Sequence, residues 1–168
     1  MKVVSQKECQ EWLNTKFSGD SSWEVVKINY PHNLTFKLPV DTGKKTALAH
    51  LLISFFGAKQ QGLFWITQWG VFPSSENMAL FDGYRKSLGE TRAVGDAPGH
   101  VFDESDLPKI ECLVELALYF YWDAIIFEGV EVAVKISHDE CLSIYVRDKV
   151  LLHEFENTFA RLKIEQVA

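Results

Sequence analysis

The chain has few cysteines, no long apolar run and a deficit of basic charge, and each shortage removes a class of protein. Its 168 residues hold three cysteines, Cys9, Cys112 and Cys141, widely spaced and without a CxxC pair. An odd number at such spacing fits reduced core thiols in a cytoplasm better than a disulfide framework, and the missing CxxC leaves a zinc ribbon or a thioredoxin-like site unsupported. No window approaches the roughly 20 apolar residues that a membrane-spanning helix needs. The opening MKVVSQKECQEW also lacks an apolar run of signal-peptide length. The expectation is a cytoplasmic protein with no membrane partner.

Lys and Arg number 17 against 23 Asp and Glu, a net charge of −6. Ten acids between Asp103 and Glu140 stand against Lys109 and Lys135 alone, a local net of −8, so the remainder carries +2. Such a field repels phosphate backbones, which excludes nucleic acid as a partner of this half, and it attracts a basic protein. Catalytic motifs are missing as well. HExxH and HxH do not occur, and DTGKKT fails as a phosphate loop. GxxxxGK followed by Ser or Thr needs Gly where Leu38 stands and a hydroxyl where Lys45 stands.

What is present is an ordinary globular balance, 47% hydrophobic and 24% charged, long enough for one domain over 1–168 with its own core. Aromatic residues make up 13%, and rings mainly supply buried area. Ser5 and Glu8 form a capping-box pattern ahead of a helix reaching about Phe17. Alternation predicts strands at Trp23–Tyr30 and Leu34–Leu38, joined as a hairpin by Pro31-His32-Asn33. Asp41 or Thr42 starts a second helix that Gly57 ends. Leu63–Trp69 is a strand, and Ser74 or Ser75 caps a third helix. Glu90–Phe102 has no period and reads as a long connection. A nearly all-apolar helix, with Pro108 in its first turn, belongs in the middle of the fold. Ala124–Phe127, Val132–Ile136 and Leu142–Val146 form an antiparallel meander, and Lys149–Leu162 a last helix. The predicted class is α+β: a mainly antiparallel sheet of about six strands with a C-terminal three-stranded meander, packed by four to five helices.

Candidate binding residues are Ser74 and Glu76 at a helix start, His100 in the long connection, Asp123, Glu131, and His138, Asp139 and Glu140 in a turn. A helix start presents free backbone donors, although Glu76 also complements the macrodipole there. Neighbouring residues of Ser137-His138-Asp139-Glu140 point in different directions, so the turn alone makes no triad. His100, Asp123, His138, Asp139, Glu140 and His153 are of types that suit zinc, manganese or iron, but no ligand spacing joins them. Asp123 and Glu128 make a conceivable acid–base pair. No catalytic residue, metal or cofactor is assigned. The leading expectation is a non-enzymatic module that binds a basic protein through its acidic half and the Ser74 and His100 loops. The alternative is a small hydrolase or metal-dependent enzyme using His100, Asp123, His138 and Asp139. Gathering of those four around one deep pocket would favour the enzyme.

WGVFPSSEN, APGHVF, WDAIIF and SHDE, spread over residues 62–147, together resemble a set of uncharacterised bacterial proteins. The resemblance implies a bacterial protein, attaches no activity and carries over no catalytic residue. By analogy, a small acidic cytosolic protein of this kind is similar to an immunity protein that neutralises a basic toxin.

Overall fold

Seven strands form one antiparallel sheet in a computed structural model that describes residues 1–19, 22–56, 61–69 and 75–167. They are β1 (Lys2–Val4), β2 (His32–Lys37), β3 (Gly62–Gln68), β4 (Gly99–Phe102), β5 (Asp123–Glu128), β6 (Val132–Ser137) and β7 (Cys141–Val146). Their order is β1-β4-β3-β5-β6-β7-β2, so the meander β5–β6–β7 sits at the centre right of the sheet and β2 closes one edge. The α+β class holds; the strand number is seven rather than about six.

The difference has two sources. Trp23–Tyr30 is not a strand but a short helix, α2 (Trp23–Val26), continued by a 3-10 turn over Lys27–Asn29. Trp23, Val26 and Tyr30 share one side of that path and pack on the sheet, while Ile28 is 78% exposed. An apparent alternation was helical spacing. Conversely, β1 and β4 are strands that local pattern conceals. β4 lies in the stretch read as a connection, and it pairs with β1 and β3 on its two sides. Gly99 is needed there: a Cβ would fall 2.2 Å from Cys9 Sγ and 2.7 Å from a Val4 methyl.

Alternation along the strands separates two cores. On one face Phe64, Ile126, Val134 and Ile144 meet α3 (Thr42–Ser54), α4 (Ser75–Ser87), α5 (Leu107–Phe120) and α6 (Lys149–Arg161). On the other, Leu63, Trp65, Ile125, Phe127 and Ala133 meet α1 (Gln6–Lys16) and α2. The helices begin where their caps dictate. Ser5 and Glu8 close the capping box of α1, with the Ser5 N–H donating to Glu8 at 2.8 Å. Asp41 accepts from Lys44 N at the start of α3, and Asp148 from Val150 N at the start of α6. α5 ends at Tyr121, whose left-handed φ of 55° turns the chain into β5.

Candidate functional site

Asp123 opens β5 and Ser137 closes β6. Since Ala124 pairs with Ile136, the register brings Asp123 beside the β6–β7 turn. Its Oδ1 accepts the His138 backbone N–H at 2.6 Å, and its two oxygens lie 2.9 and 3.0 Å from His138 Nδ1. The ring is thereby oriented with Nε2 outward, 3.5 Å from Asp139 Oδ1. Within the turn, Ser137 Oγ accepts from Asp139 N at 3.2 Å, and Glu140, at a left-handed φ of 60°, offers its carbonyl to Leu38 N at 2.7 Å. This corner comprises an oriented imidazole and carboxylates, but its hydroxyls are engaged, Ser137 in holding the turn and Thr67 in donating to the Asp123 carbonyl at 3.4 Å. Among the described residues no group of three or more His, Cys, Asp or Glu side chains is placed to hold a metal ion.

His100 lies elsewhere. It pairs with Phe64, which pairs with Ile126, so its side chain points into the core beneath α4, on the face opposite Asp123. It is fully buried between the Phe64 and Phe81 rings, 5.6 and 6.2 Å away. Burial, with the nearby Arg85 cation adding to it, pushes the His100 pKa down to about 3, so the ring is neutral at pH 7. The sheet therefore separates His100 from Asp123, His138 and Asp139.

The acids are dispersed in the same way. Glu131 stands exposed at one end of β6, and Asp139 and Glu140 at the other, about 20 Å away by strand rise. Glu111 and Glu115 are on the helix layer, where they face His50 and Thr46 of α3. Glu76 is exposed in the first turn of α4, and Ser74 lies outside the described residues.

The helix layer adds a feature that the charge pattern did not indicate. α5 packs between α3 and α4, and its outward ridge of Cys112, Leu116 and Tyr119 floors an open trough of about 520 Å³. Leu80 and Tyr84 of α4 form one wall, Thr42 and Glu115 the other side. Leu80 is 60% exposed and Tyr119 52%. The signal in the sequence was the apolar circumference of α5, which exceeds what one buried face requires.

No family model, curated protein or solved structure matches the chain. The resemblance over 62–147 therefore brings no named family, and function has to be argued from the geometry.

Proposed function

We propose that this protein is a non-enzymatic interaction module that receives an apolar ridge of a partner protein in the α3–α4–α5 trough. One observation carries the reading: Leu80, Leu116 and Tyr119 line one open depression, and two of them, Leu80 and Tyr119, are more than half exposed. A contiguous apolar surface with a polar margin is the usual anatomy of a binding face. Glu115 is the one charged side chain among the described lining residues, which favours a partner whose ridge is flanked by Lys or Arg. An amphipathic helix, with anchors at i, i+4 and i+7, matches a floor spaced at 112, 116 and 119.

The test is a photo-crosslinking residue placed at Leu80 in one variant and at Glu131 in another, each used to capture partners from the source cell. The expected outcome is one basic protein joined at Leu80, whose capture falls at least tenfold in a Leu80→Glu, Tyr119→Glu variant. Capture that survives this variant but is lost in Glu131→Lys, Asp139→Lys, Glu140→Lys would move the binding face to the strand turns. A second reading, hydrolysis at the β6–β7 turn, is favoured by the locked Asp123–His138 pair. It requires a turnover that His138→Gln abolishes, found by screening ester, amide and phosphoester substrates.

A further inference from the structure

Eight buried side-chain polar atoms have no hydrogen-bond partner among the described residues, and six of them belong to one neighbourhood. They are Asp82 Oδ1, Arg85 Nε and Nη1, both ring nitrogens of His100, and Trp122 Nε1. Three of these residues, Arg85, His100 and Trp122, pack around the Phe81 ring. The Arg85 guanidinium carbon is 5.9 Å from its centroid, the His100 ring 6.2 Å and the Trp122 ring 5.2 Å, and Asp82 is the next residue in the chain. Arg85 and Trp122 are each 1% exposed, so bulk water cannot reach these groups without an opening.

The hydrogen-bond inventory is lopsided. Arg85 Nη2 donates to the Ala97 carbonyl at 2.7 Å, leaving Nε–H and the Nη1 hydrogens. Asp82 Oδ1, 3.8 Å from Nη1, is outside hydrogen-bond range. Trp122 can only donate, and a neutral His100 supplies one acceptor and one donor, the donor drawn toward the Phe64 backbone without reaching hydrogen-bond geometry. Donors therefore outnumber acceptors around a fixed positive charge. Glu90, the other nearby acid, is held by Arg92 at 2.6 Å. We propose that Arg85, His100 and Trp122 form an interior site for a small carboxylate, a planar monoanion rich in acceptors. Asp82, with a side chain 26% exposed, marks the side from which the site meets solvent. Its charge also disfavours a dianion such as phosphate. Such a site is distinct from the trough, which lies on the outer side of the helix layer.

The test uses sodium acetate, with sodium chloride at equal ionic strength as reference and inorganic phosphate as a second anion. In nitrogen–proton spectra of the wild type, acetate is expected to shift the Arg85 Nε–H and Trp122 Nε1–H resonances along one saturable curve, and to raise the melting temperature. Arg85→Met should abolish the temperature response. If neither resonance moves with acetate, the proposal is overturned, whatever the fate of the variant. A response to phosphate and not to acetate would overturn the assignment of a carboxylate. An equal response to chloride would reduce it to an adventitious ion only.

Discussion

At the scale of the residue, His100 is the clearest case of a side chain whose chemistry is set by its surroundings. Its ordinary pKa of 6.5 falls to about 3 because burial penalises the imidazolium and Arg85 opposes it, with the Phe64 backbone and then Glu90 acting the other way. Above pH 6.5 the ring is neutral in both folded and unfolded chains and contributes no slope. Below it, the unfolded chain takes up a proton that the fold rejects. Stability should then fall by up to about 1.4 kcal/mol per pH unit until roughly pH 3. Urea denaturation of the wild type and His100→Phe at pH 7 and pH 4.5 checks this. The variant should lose less stability on acidification; equal losses would mean that the imidazole is hydrated in the fold. Cys9 shows the same principle with the opposite sign, since burial pushes its thiol up to about 12 and leaves it inert at neutral pH.

At the scale of the element, α4 sorts adjacent residues to opposite fates. Leu80 lies on the trough and Phe81 is fully buried against His100 and Trp122. Leu80→Glu is expected to change stability by no more than about 0.5 kcal/mol, as exposed positions do. Phe81→Ala removes a core ring and should cost about 3–5 kcal/mol. Thermal melts of the two variants side by side decide whether Leu80 is a surface anchor or a structural one. A large loss in Leu80→Glu would withdraw the trough as a binding face. The α1 start, the α3 start and the Pro108 turn were legible in the sequence because caps act within four residues. The α2 segment was not, since Val26, Ile28 and Tyr30 alternate with Lys27 and Asn29 as a strand would, while Trp23, Val26 and Tyr30 satisfy helical spacing over the same short window. β4 was hidden for a different reason. A four-residue strand carries too few positions to establish a period, and it exists because β1 and β3 supply partners on both sides.

At the scale of the whole molecule, one sheet serves two cores. Trp12, Trp23 and Trp65 report on the α1–α2 side, Trp69 and Trp122 on the other. Both depend on β3, β5 and β6, so neither face can lose its helices without exposing strands that the other face also uses. One cooperative transition is expected, with tryptophan fluorescence and far-ultraviolet circular dichroism giving coincident curves in urea. Two separated transitions would divide the chain into more than the one domain its length and composition imply. The same architecture scatters the charge. Asp123 is held by His138, Glu111 faces His50, and Glu131 is a strand length from Asp139.

Sequence by itself determined the class of fold, the starts of α1, α3, α5 and α6, the meander and the region in which acids dominate, because each is governed by local periodicity or composition. It also identified Asp123 and His138 as residues of interest, but not that they touch. Tertiary structure alone decided that contact, through the register of β5 against β6, and it alone put His100 on the far side of the sheet. A strand pattern specifies which residues share a face, whereas the neighbours of that face depend on strand order, and order is settled by pairings between segments up to about a hundred residues apart. For the same reason, the trough on α5 and the polar cluster around Phe81 exist only once distant elements have met.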